Sequence, residues 1–209
     1  MIQYQIRYYP HPNAVVSYRF SDSVLVVCSD VLYLTEHKAR SRSGGHFFVS
    51  EDIDFPSSTG SVETIAKLIW NVMTSAADAE IGALFINTRK SLLVRYLLKE
   101  MGHLQPPTPI QTEDTTALGF VTNNLQPNAT KLTDTNFWFM RDHQDQNQCR
   151  YYWSSGVTHN MNYHTKYYSP ARHREKICTL LTPCDVLDTL WMKLEKINPS
   201  VLDVTECVC

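Results

Sequence analysis

The chain has 209 residues, 43% of them hydrophobic and 19% charged, with a formal net charge of −2. Those values fit one globular domain with appendages and a sizeable core. They argue against a uniformly basic nucleic-acid binder, although local patches can outweigh the net value, and no apolar run approaches the ~20 residues of a membrane span.

Residues 1–22, rich in Tyr, Arg and Pro, read as an extended segment with no apolar signal-peptide core. The main domain is expected over 23–175, followed by a tail over 176–209. Ser23 to Asp30 reads as a buried, Val-rich strand, with Asp30 closing the apolar run. Gly44 to Ser50 reads as a second strand after a Gly-Gly turn, and Pro56 to Gly60 as a turn. Ser61 to Met73 is open: Val62, Ile65, Leu68 and Ile69 suit a helix, while the resemblance described below suggests a strand.

Ser75 can cap a helix, with Asp78 near the positive end of its dipole. Ala77, Ile81, Leu84 and Phe85 make one apolar stripe. Leu92, Leu93, Tyr96 and Leu97 make a second, read as a second helix stopped by Gly102. Pro106, Pro107 and Pro109 predict a loop, Ile110 to Thr112 a short strand and Thr115 to Val121 a short helix. Lys131 to Asp145 reads as a helix, Cys149 to Trp153 as a strand, and Asp185 to Ile197 as a helix in the tail. An early antiparallel set followed by strands alternating with helices predicts a mixed α/β sheet.

Within that order, Asp30 at a strand end and Glu80 on the Ala-rich helix are the pattern by which strand-and-helix folds assemble a divalent-metal site. The cysteines Cys28, Cys149, Cys178, Cys184, Cys207 and Cys209 form no Cys-x-x-Cys pair. They read as reduced thiols of an intracellular protein, cytoplasmic or nuclear, and the terminal Cys-Val-Cys as a frayed end. His159, His164 and His173 are too loosely spaced for zinc and read as loop histidines.

Four blocks carry a family resemblance: SDVLYLTEHKARSRSGGHFF (Ser29–Phe48), NVMTSAADAEIGALFIN (Asn71–Asn87), EMGHLQPPTPIQTEDTTALG (Glu100–Gly119) and YYWSSGVTHNMNYHTKYYSP (Tyr151–Pro170). In this order the chain resembles the ribonuclease H domain of the Pol polyprotein of copia-type retrotransposons. The resemblance implies an α/β, ribonuclease H-like fold: a five-stranded mixed sheet flanked by helices. It also implies a hydrolase that cuts the RNA strand of an RNA/DNA hybrid with Mg²⁺ or Mn²⁺, beside a reverse transcriptase portion. Hard divalent cations take anionic oxygen ligands, and two ions ~4 Å apart activate a water and stabilise the leaving oxygen.

Position by position, the resemblance puts the four acids at Asp30, Glu80, Glu113 and Asn162. The family usually has Asp at the third position, so Glu113 adds a methylene and moves its oxygens by roughly 1 Å, a shift that can cost about a hundredfold in rate. Asp114 is the neighbouring substitute, or simply the charge at a helix N-terminus. At the fourth, Asn162 offers a carbonyl oxygen without charge, and His164, Tyr167 and Tyr168 depart from the family's pattern nearby. Three formal charges facing two divalent ions imply weak metal binding and impaired catalysis.

Lys38, Arg40 and Arg42 alternate at period two, and either meet successive phosphates or decorate a solvated hairpin arm. Lys166, Arg172 and Arg174, with Tyr167 and Tyr168, either contact a nucleic-acid backbone or lie in a tail. Three functions follow. One is a metal-dependent ribonuclease, and a second is a non-catalytic nucleic-acid-binding or structural remnant of a Pol polyprotein. The third is a protein-interaction module using the Tyr-rich N-terminal strand edge.

Overall fold

The computed structural model describes residues 14–15, 23–54, 56, 60–122, 131–155, 169 and 182–183. A short β1 (Ala14–Val15) pairs antiparallel with β7 (Thr182–Pro183). The main sheet comprises β2 (Val24–Glu36), β3 (Arg40–Ser50), β4 (Ser61–Ile69), β5 (Thr108–Thr112) and β6 (Cys149–Trp153). Its order is β4-β3-β2-β5-β6; β2/β3 and β3/β4 are antiparallel, while β2/β5 and β5/β6 are parallel. The helices are α1 (Ala76–Glu100), α2 (Thr115–Val121) and α3 (Lys131–Asp145). This is the α/β, ribonuclease H-like arrangement that the resemblance implies, with β2 central.

The helices pack on one sheet face. Leu25 and Val27 of β2, Phe47 of β3, Ile110 of β5 and Tyr151 of β6 meet Ile81, Leu84, Ala117, Val121 and Met140. Alternation places Val26, Cys28 and Phe48 on the other face, where they form a separate buried cluster.

Several elements differ from their sequence reading. β2 and β3 are long, so Asp30 lies within a strand and not at its end. Gly44 and Gly45 are no turn: they pair with Asp30 and Ser29 in the middle of the β2/β3 ladder. The turn is His37–Ala39, where Lys38 and Ala39 have φ of 62° and 50°. Gly45 is small because α1 comes close: a Cβ there would stand 2.2 Å from Asn87 Oδ1. Ser61–Ile69 is a strand, because its pairing with β3 outweighs its mixed periodicity.

The two expected helices are one, and Leu93, Tyr96 and Leu97 are exposed. The buried line between the two stripes is polar, made of Asn87, Thr88 and Ser91. Each has a partner there: Asn87 reaches β2 and β3, Thr88 Oγ1 lies 3.0 Å from Tyr151 Oη, and Ser91 donates to Thr88 O at 2.8 Å. Ser75 caps the start, accepting from Asp78 N at 3.0 Å, while Asp78 Oδ2 accepts from Thr74 N. Gly102, at φ 92°, ends the helix as expected.

Pro109 sits inside β5 and not in the loop before it. The ladder from β5 to β2 begins only at Ile110. Further back, Leu25 N donates instead to Gln105 Oε1 at 3.0 Å, so no bond to β2 is demanded of Pro109. The tail helix expected over Asp185 to Ile197 lies outside the described residues.

Candidate functional site

Asp30 is 2% exposed on the central strand, opposite Gly44. The parallel ladder between β2 and β5 comprises Val27↔Ile110 and Cys28↔Gln111, two residues before Asp30 on one strand and two before Glu113 on the other; Glu113 lies just past the end of β5. Glu113 is half-buried, and its carbonyl accepts from Trp153 Nε1 at 3.0 Å, which ties the end of β5 to the end of β6. Glu80 is 9% exposed near the start of α1, between the buried residues Ala79 and Ile81.

Asn87 is a contributor that the sequence reading missed. It lies seven residues after Glu80, two turns along the same helix face. Its Nδ2 donates to Ser29 Oγ and to Gly44 O, both at 2.8 Å. Those partners are Asp30's chain neighbour and Asp30's cross-strand partner. Asn87 therefore fastens the helix bearing Glu80 to the strands around Asp30. A buried polar residue in step with Glu80 was the available signal, and apolar stripe-counting passes over it.

Asp114 caps α2: its Oδ1 accepts from Ala117 N at 2.7 Å, and its own N–H donates to Thr112 Oγ1. The carboxylate proposed as a substitute ligand is thus engaged by the helix start. Asn162, Lys166, Arg172 and Arg174 lie outside the described residues, as do the three histidines considered for zinc.

The basic hairpin arm divides. Lys38 is in the turn and exposed, out of line with Arg40 and Arg42 on β3. Arg42 Nε pairs with Glu36 Oε1 at 2.6 Å, and Nη1 donates to Ala66 O at 3.0 Å. The hydrogen bond from Arg42 holds the Glu36 carboxyl below its ordinary range. Arg40 lies over the Trp70 ring, 4.8 Å from its centroid.

Cys28, two residues from Asp30, donates its thiol to Gln111 Oε1 at 3.1 Å. Burial pushes that thiol up to about 12, so it is not a reactive thiolate. Cys28 and Cys149 are both free thiols, as expected, and the other cysteines lie outside the described residues.

The donor set of Asp30, Glu80 and Glu113 is hard anionic oxygen, which suits Mg²⁺ or Mn²⁺. The spacing does not match: among the described residues, no three His, Cys, Asp or Glu side chains stand close enough to hold one metal ion. No described helix is long and apolar enough to cross a membrane.

No protein-family model and no curated protein matches the chain. Solved structures of ribonuclease H domains do. The chain is similar to LC11-RNase H1, isolated from compost by a metagenomic approach, with TM-score 0.48, 7% identity and coverage of 66% of this chain and 88% of that one. The N-terminal ribonuclease H domain of a Mycobacterium tuberculosis protein, fused to maltose-binding protein, overlays with TM-score 0.42 and 8% identity, over 66% of this chain and 86% of that one. RNase H1 of the halophilic archaeon Halobacterium salinarum overlays with TM-score 0.37 and 10% identity, over 66% and 89%.

Proposed function

We propose that this chain is a ribonuclease H domain of a copia-type Pol polyprotein that acts on the RNA strand of RNA/DNA hybrids, with impaired catalysis. The observation that carries the reading is the buried Asp30 on the central strand, which pairs in parallel with the strand that Glu113 follows. Glu80 is buried on α1, which packs on the opposite sheet face and is tied by Asn87 to Ser29, the residue before Asp30. In this reading Asp30, Glu80 and Glu113 stand at three of the acid positions that the resemblance implies and Asn162 at the fourth, and as placed no three of the described side chains come close enough to hold one ion.

The impairment has two sources in the sequence. Glu113 carries its oxygens about 1 Å further than an Asp would, and Asn162 removes a charge. A second reading, a non-catalytic hybrid-binding or structural remnant, is favoured by the uncharged Asn162 at the fourth acid position.

The test is cleavage of a labelled RNA/DNA hybrid with Mg²⁺ and with Mn²⁺, comparing the natural chain with Asn162→Asp and Asp30→Asn. We expect the natural chain to be slow or silent, Asn162→Asp to gain at least tenfold, and Asp30→Asn to abolish that gain. Cutting that Asp30→Asn leaves intact would overturn the assignment of the site. Hybrid binding without cutting by any variant would favour the second reading.

A further inference from the structure

Trp70, immediately after β4, is 68% exposed, and it has a cation on one face of its ring. Its position within the sheet decides what this pair can serve. Asp30↔Gly44 and Leu32↔Arg42 pair across β2 and β3, so Asp30, Gly44, Arg42 and, two residues on, Arg40 share one sheet face. Gly44↔Ala66 and Arg42↔Leu68 extend that face to β4, where Trp70 falls in step beside Arg40. From Gly44 to Arg40 is four residues, about 13 Å along the strand. The described helices pack on the opposite face, through Val27, Phe47 and Ile110.

We propose that Trp70, backed by Arg40, is a stacking platform for an unpaired nucleobase in a single-stranded segment running on from the duplex at the Asp30 site. This rests on the functional reading given above. Arg40 occupies one face of the indole and polarises it, which leaves the other face for a flat aromatic partner. A base inside a duplex is already stacked on both sides, so the open face suits a base outside the helix stack. Lys38 at the hairpin tip supplies an exposed cation for the accompanying phosphates, whereas Arg42 is engaged with Glu36. The platform tolerates any base, because every base presents a π-face.

The experiment compares two labelled probes by fluorescence anisotropy on the full chain: a blunt RNA/DNA hybrid, and the same hybrid with a single-stranded extension. We expect the extension to tighten binding by roughly fivefold to a hundredfold, the range for stacking one base on an aromatic side chain. Trp70→Leu, which keeps the apolar bulk and loses the ring, should remove that gain without altering the salt dependence. Trp70→Phe should keep most of it. Melting temperatures equal to the parent's establish that each variant is folded.

If the blunt and extended probes bind equally, or if Trp70→Leu keeps the gain, the platform is overturned while the hybrid reading stands. If the blunt hybrid is not bound but a single strand is, through Trp70, the platform stands and the hybrid reading falls. If neither probe binds, both are overturned.

Discussion

Gly45 is the position where one added carbon has the most direct consequence. Its missing Cβ is what lets Asn87 reach Ser29 and the Gly44 carbonyl, since a methyl there would stand 2.2 Å from Asn87 Oδ1. Gly45→Ala should destabilise the fold by about 1–3 kcal/mol, the usual cost of overpacking, as read by urea denaturation. Adding Asn87→Ala should recover part of that loss, because the two residues touch and their effects cannot be additive. Equal losses in single and double variants would show that the clash is relieved elsewhere. Asp114 makes a contrasting case. As the cap of α2 it should tolerate Asn and lose about 1 kcal/mol on change to Ala. If the Ala variant melts with the parent, the cap contributes nothing.

At the scale of elements, α1 is held at both ends by different means. Its start is closed locally by Ser75 and Asp78. Toward its C-terminus, Arg95 donates to the carbonyls of Gln105 and Pro106 and to Thr108 Oγ1, stapling the loop that feeds β5. Gln105 in turn bonds Ser23 O and Leu25 N at the start of β2. Arg95→Met keeps the stem and removes these bonds. It should cost roughly 2–3 kcal/mol, the scale of losing charged hydrogen bonds at a partly buried site. Hydrogen exchange should rise at Thr108 and Leu25 before the rest of the sheet; uniform exchange would mean that the loop is held by other contacts. Local cues marked α2, α3 and β6 correctly, because caps, apolar spacing and β-branched or aromatic runs act within a few residues. They did not mark α1 as one helix, because Thr88 and Ser91 look like a polar break until their partners Tyr151 and the Thr88 carbonyl are known.

For the whole molecule, the two sheet faces carry different groups. One receives all three described helices, and with α1 it receives Glu80; the other carries Asp30, Cys28 and the Arg40–Trp70 pair. Burial raises the thiols of Cys28 and Cys149 from 9.0 to about 12 and about 11, and lifts the phenols of Tyr151 and Tyr152. An acid whose folded pKa is raised contributes stability that is complete below its unfolded pKa and is lost as pH rises through the folded value. Stability should therefore not be lost through these thiols between pH 7 and 9, and should fall from about pH 9 to 12. Cys28→Val with Cys149→Val should make that alkaline fall shallower in urea melts. An unchanged slope would assign it to other groups.

Neighbouring residues were enough to mark the α/β class, the caps that open α1 and α2, the span of α3 and the short strand β6, because each of these is written within a few positions of the chain. The length of β2 and β3, the role of Gly44-Gly45 and the single α1 came from long-range packing. It also decided the part played by Asn87 and which acid caps α2. The physical reason is the same in each case: a buried polar or small residue takes its meaning from a partner distant in the chain. Gly45 reads as a turn until a helix 42 residues away lies against it.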